Sequence, residues 1–377
     1  MLLFSDGKCF LKASLLIIFL GHAFLANATI DFLVFPEIKI NHNNGESFSN
    51  DNITPSLDFF LSGNMGSIKL LSELYVSERV QHIERLQVGF NLTPSARLWF
   101  GRHHNPNGYW HTQYHHGTFL QTSITRPSMV ELGGAGGIIP SHSTGVLLEG
   151  ELELQTSAWH YAASIGLTSQ LNFTSGGHHG GDSSSSLSDF DFSNPKPNNH
   201  ELGYAFRLAY FPDALAENQL GWFINHEEIT LKANQHQTSQ TMHDEHTINT
   251  NEVITLDIIG IFANYQEKSW RFISEAYYFS SKVPTEMKVE KNGFSAAYLQ
   301  IEYTFNDQLT PYMRLDRTFS HANDAYLRLL DGYSVNANTL GVRLDLPGHN
   351  AFKLEYSKQD FTDGDTEQWW LNWSAVW

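Results

Sequence analysis

A single cysteine, Cys9, occurs in 377 residues, and it precedes a short apolar run that reads as an export leader. The exported chain is therefore expected to carry no thiol, which excludes a disulfide framework and any thiolate metal site. Bases are scarce: 23 Lys and Arg face 40 Asp and Glu, for a formal charge of −17. So acidic a chain, with no basic patch, does not track a phosphate backbone, which excludes nucleic acid as a partner. A long hydrophobic run is missing too. The apolar core Ala13 to Leu20 is too short to cross a bilayer as a helix. Helical periodicity is almost absent after residue 29.

What is present begins with the leader. Lys8 and Lys12 give it a positive start, and Ala26-Asn27-Ala28 has the small-x-small form of a cleavage site. We read 1–28 as a signal peptide and 29–377 as one domain. Hydrophobic residues are 41% and mean hydropathy is −0.30, values that suit a soluble protein. They equally suit a membrane barrel, where lumen-facing polar residues cancel lipid-facing apolar ones.

Period-two alternation recurs in segments of about ten residues. It predicts strands at 30–40, 55–62, 66–77, 81–92, 95–102, 143–153, 158–168, 200–211, 217–231, 252–264, 268–282, 294–304, 308–320, 335–345, 350–360 and 367–377. That makes sixteen, an even number, as bacterial single-chain barrels require. Connections alternate in length. Gly63-Asn64, Thr93-Pro94, 154–157, Pro212-Asp213, Asn306-Asp307 and 346–349 are tight, whereas 41–54, 103–142, 169–199, 232–251, 283–293, 321–334 and 361–366 are mostly longer and polar. The exception is 78–80, which is short. A barrel inserted from the periplasm sorts its connections this way. In 297–305, Ala297, Leu299, Ile301, Tyr303 and Phe305 oppose Tyr298, Gln300, Glu302 and Thr304. Mid-strand charge facing lipid is costly, so the polar face must line a wet interior. Trp99, Trp222, Trp270, Tyr277 and Tyr278 lie near strand ends and are expected in interfacial girdles.

The last strand alternates Trp369, Leu371, Trp373, Ala375 and Trp377 with Trp370, Asn372, Ser374 and Val376. It resembles the C-terminal assembly signal of Gram-negative outer-membrane barrels, with Trp where most end in Phe. With strand count and loop asymmetry, the chain resembles a sixteen-stranded porin: an all-β, transmembrane antiparallel barrel in the cell outer membrane. The resemblance implies outer-membrane lipid and the barrel assembly machinery as partners, and a homotrimer. In trimeric porins the third long loop folds into the barrel and narrows it, and 103–142 resembles that loop in position and length.

That loop carries His103, His104, Tyr109, Trp110, His111, His115 and His116, with an Asn-Pro-Asn-Gly turn at 105–108 and a glycine run at 133–137. One helical turn would put His111 and His115 on one face, a common zinc geometry, with His103, His104 and His116 close enough to join. His178, His179, His236, His243 and His246 occupy other long loops. Two readings stand: a metal site, zinc first, or polar residues stacked with Tyr109, Trp110 and Tyr114 in an ordered loop.

The candidate lumen charges are Arg85, Arg97, Arg102, Arg207, Arg314 and Arg343, opposed by Glu149, Glu302, Asp316 and Glu355. They either select permeants by sign or pair across strands and keep the interior wet. The acid excess favours cations. Catalysis has little to rest on, His142-Ser143 being the nearest nucleophile and base pair. A plugged transporter needs more strands than this length supplies. The expected function is a porin-like channel for small hydrophilic solutes or ions, with a metal-binding or uptake receptor as the alternative.

Overall fold

The computed structural model describes residues 29–45, 49–78, 81–114, 117–130, 138–174, 184–188, 200–232, 252–285, 288–330, 333–362 and 364–377. The expected leader at 1–28, His115, His116, the glycine run and the histidines between 175 and 183 and between 233 and 251 lie outside these.

The strands in chain order are β1 (Thr29–Gly45), β2 (Ser49–Met65), β3 (Ile68–Ser77), β4 (Gln81–Thr93), β5 (Ala96–His104), β6 (His142–Glu153), β7 (Ala158–Leu167), β8 (Gln170–Thr174), β9 (Ser184–Ser188), β10 (Leu202–Phe211), β11 (Gln219–Lys232), β12 (Val253–Glu267), β13 (Trp270–Pro284), β14 (Val289–Tyr303), β15 (Leu309–Phe319), β16 (Ser334–Leu346), β17 (Asn350–Phe361) and β18 (Gly364–Ala375). Each pairs antiparallel with its neighbour, except that β7 passes over to β10. β1 pairs with both β2 and β18, closing the ring. Sixteen strands form the wall. β8 and β9 make a side hairpin whose β8 runs parallel to the end of β11, from Thr230 to Lys232.

All sixteen predicted strands are present. Several are longer than the alternation suggested, because their polar ends stay hydrogen-bonded where the composition reads as loop. β1 and β2 pair from Thr29↔Asn64 to Asn44↔Ser49, and β13 and β14 stay paired to Pro284↔Val289. The expected connections 41–54, 283–293 and 361–366 shrink accordingly. The short side, which also holds Thr29 and Trp377, is built on positive-φ turn residues such as Asn306 (49°), Asp307 (55°) and His349 (55°).

Face alternation holds. Leu299, Leu340, Phe352, Leu354 and Trp369 point out and are exposed, while Tyr298, Gln300, Glu302, Lys353 and Glu355 are buried inside. An apolar outer band around a polar interior marks the wall as membrane-spanning. Two girdle assignments fail. Trp222, Trp270 and Tyr278 face outward, but Trp99 and Tyr277 turn into the lumen and are buried. There their polar atoms find acids: Trp99 Nε1 donates to Glu149 Oε1 at 2.8 Å and Tyr277 Oη to Glu275 Oε2 at 2.7 Å.

Candidate functional site: a lumen filled from one side by a folded loop

The described parts of the connection between β5 and β6, residues 105–114, 117–130 and 138–141, pack inside the barrel. Tyr109 and Trp110 are buried, and Trp110–Gln113 forms one helical turn. The wall fastens the loop by its backbone. On β13, the Glu275 carboxylate accepts from the N–H groups of Tyr109 (2.9 Å) and Trp110 (2.8 Å), and from the hydroxyls of Tyr277 and Tyr298. On β17, Glu355 accepts from Ile124 N–H at 2.8 Å and Thr125 N–H at 3.2 Å. On β15, Asp316 accepts from Ser128 N–H at 3.0 Å.

The cations do the converse and donate to loop carbonyls. Arg314 reaches Thr125 O and Arg126 O, both at 2.9 Å. Arg343 reaches Phe119 O at 2.5 Å and Gln121 O at 2.9 Å. Lys353 reaches Gln121 O at 2.7 Å. Arg207 on β10 reaches Gly108 O at 3.0 Å and lies over the Phe262 ring. Hydrogen bonds to charged groups contribute about 1.5–3 kcal/mol each, so this set offsets a substantial part of the conformational freedom lost by a loop that has no sheet of its own.

The loop binds the β10–β17 side and leaves space opposite. A cavity of about 480 Å³ lies between it and the arc from β3 to β7. Arg85, Arg97, Glu149, Glu151 and His160 line it from the wall, and Asn105, Pro106, Thr112 and Gln113 from the loop. Its residues extend to the short-turn rim at Asn91, Pro94 and Ser95. Arg85 pairs with the buried Glu73 at 2.7 Å, and Arg97 with Glu149 at 3.4 Å, the latter pair part-exposed.

The proposed pore residues thus divide. Arg85 and Arg97 line the cavity. Arg314 and Arg343 do not, because the loop covers them and they hold it down. Tyr109 and Trp110 are anchors of the loop rather than walls of an opening. Arg102 is buried and donates to Ile83 O at 2.8 Å.

The histidines divide as well. His104, at the end of β5, stands directly across from His142, at the start of β6, with ring centroids 4.4 Å apart. Glu84 of β4 joins them: one ligand atom from each of the three lies within 4.8 Å of the others. His103 is not part of this group, since its Nδ1 donates to Gly101 O at 3.2 Å. His111 is fully buried, and among the described residues neither of its ring nitrogens has a hydrogen-bond partner. Burial pushes its pKa down to about 3, so it is neutral at physiological pH. Burial likewise pushes the Tyr109 and Tyr114 phenols up. The pair His142-Ser143 lacks nucleophile geometry: Ser143 Oγ donates to Asn105 Oδ1 at 2.6 Å, and His142 Nδ1 bonds Ser141 Oγ at 2.8 Å.

Glu84 and His142 were not assigned as ligands in the sequence reading. His142 was visible there only as a neighbour of Ser143. Glu84 gave no signal beyond its spacing of two from His82, with which its carboxylate pairs.

No family model matches the chain, and no curated protein matches its sequence. Solved structures do share its fold. The outer-membrane channel DcaP of Acinetobacter baumannii superposes with a TM-score of 0.56 at 13% identity, over 94% of this chain and 98% of that one. An anion-selective porin from Comamonas acidovorans gives 0.56 at 10%, over 93% and 100%. OmpT, an outer membrane protein of Vibrio cholerae, gives 0.55 at 11% in a loop-deleted form, over 93% and 99%, and has also been solved in a trimer form. The chain has the fold of a sixteen-stranded outer-membrane porin-type barrel.

Proposed function

We propose that the barrel is a passive channel for small hydrophilic solutes or ions, narrowed by the inward-folded loop 105–141 to a passage along the β3–β7 wall. The observation that carries this reading is the charged cavity that the loop leaves along that wall, reaching the short-turn rim. Fixed charges of both signs around a wet constriction discriminate permeants by sign and size. The reading is passage and not catalysis: the expected pair His142-Ser143 is not hydrogen-bonded, Ser143 Oγ donating instead to Asn105 Oδ1. We extend the proposal to a homotrimer, which detergent-extracted material should reveal by native mass spectrometry.

Purified barrel added to a planar bilayer should give discrete conductance steps. Removing most of the loop should enlarge them. A correctly folded parent protein that gives no steps, with or without the loop, overturns the reading.

A further inference from the structure

The loop's two roots meet at the Glu84, His104 and His142 cluster. His104 is the last residue of β5 and His142 the first of β6, so the whole inward fold hangs between them. Their side chains are buried together. Glu84 arrives by a local irregularity: Arg85 pairs with Glu73 and Ile83 with Leu74, which leaves Glu84 as an extra, unpaired residue in β4. A bulge of this kind re-aims one side chain relative to its neighbours. β5 is also bent locally. Gly101 has φ +128°, and a Cβ there would lie 2.1 Å from Leu86 O, so only glycine fits.

We propose that Glu84, His104 and His142 bind a divalent transition-metal ion of the zinc class, which staples the roots of the loop to each other and to β4. Two imidazoles and one carboxylate form a common set for such ions, and they leave positions open for water. His142 is already oriented for the task. Its Nδ1 lies on Ser141 Oγ and its Nε2 2.7 Å from Glu84 Oε2, so Nδ1–H can donate to the serine while the Nε2 lone pair faces the ion. Partners of this kind fix the tautomer of a ligating histidine. The ion takes the place of any proton between Nε2 and the carboxylate, 2.7 Å apart. The buried imidazole of His111, on the loop's helical turn, is electrostatically coupled to both His104 and His142, and neither of its nitrogens is hydrogen-bonded among the described residues. The site does not depend on whether the barrel conducts.

The test is calorimetry of chelator-stripped, detergent-folded barrel with zinc chloride, supported by the visible spectrum of the cobalt(II) form. The parent should bind one ion. Glu84→Gln, His104→Ala and His142→Ala should each weaken binding by roughly a hundredfold or more, while His115→Ala with His116→Ala leaves it intact. Heat-modifiable mobility on gels confirms that each variant has folded. Zinc should also slow proteolysis within 105–141 in the parent but not in Glu84→Gln. No binding to the parent, or binding that survives His104→Ala and His142→Ala, overturns the site. Binding without protection of the loop overturns the staple.

Discussion

Residue 108 shows how closely the loop and wall are fitted. Gly108 has φ +62°, and an added Cβ would fall 1.8 Å from Glu275 Oε2. The left-handed conformation lets the next two amides converge on one carboxylate, and the missing side chain lets that carboxylate approach. Gly108→Ala should therefore undock the start of the loop while the wall still assembles. The measurement is limited proteolysis, with cleavage near Tyr109 and Trp110 expected to accelerate at least tenfold. His111 supplies a pH dependence. Its folded pKa is lowered from 6.5 to about 3, so the undocked state takes up a proton that the docked state refuses. Its contribution to docking is complete above about pH 6.5 and is lost as pH falls toward 3, at up to roughly 1.4 kcal/mol per pH unit. His111→Leu should flatten the acid side of a protease-sensitivity profile taken between those limits. An unchanged profile would assign the acid response to the carboxylates instead. The loop's aromatic residues were legible as a group that must be sheltered. Glu84 was not, because a bulge is set by pairing with a neighbour strand and leaves no period of its own.

At the scale of strands, the alternation was readable wherever one face meets lipid and the other water, as in β14, β16 and β17. It failed past the membrane, where β1 runs on through Asn41, His42, Asn43 and Asn44, still paired with β2 and β18. Backbone hydrogen bonds sustain a strand there without an apolar face to betray it. The last strand has a second role besides presenting aromatics. Beyond β18, Trp377 and Val34 exchange both backbone hydrogen bonds, at 2.9 and 3.0 Å, extending the seam where the first strand meets the last. Its side chain is exposed, and those of Trp369 and Leu371 lie on the same outer face. Ala375 departs from the expected pattern by being buried. Deleting Trp377 removes the seam pair and an outward indole together. The amount of heat-modifiable barrel in outer-membrane fractions should fall several-fold, and equal amounts would remove the assembly role.

For the whole molecule, lumen charge has two duties, and apart from Arg207, which both holds Gly108 O and lines the cavity, the division follows the sides of the barrel. Along β13 to β17 the charges are buried under the loop and hold it. Along β3 to β7, Arg85, Arg97, Glu149 and Glu151 face the cavity. Inverting one charge from each class should separate structure from permeation. Arg97 keeps about 33% of its side chain exposed and bonds Asn91 and Glu149 at the cavity's edge. An exposed pair of this kind contributes little to stability, about 0–1 kcal/mol, so Arg97→Glu should fold normally. It would set one new carboxylate beside Glu149 where a cation now stands, and the reversal potential in a salt gradient should move toward cation preference with little change in step size. Arg314 is 1% exposed and donates to three loop oxygens as well as to Asp316. Arg314→Glu would set a buried acid against Asp316 and Glu355, expelling the loop at the cost of several kcal/mol. Its steps should become larger and its loop open to protease. If both variants change only selectivity, the loop does not set the constriction. If both enlarge the steps, the β3–β7 wall is part of the fastening and the passage lies elsewhere.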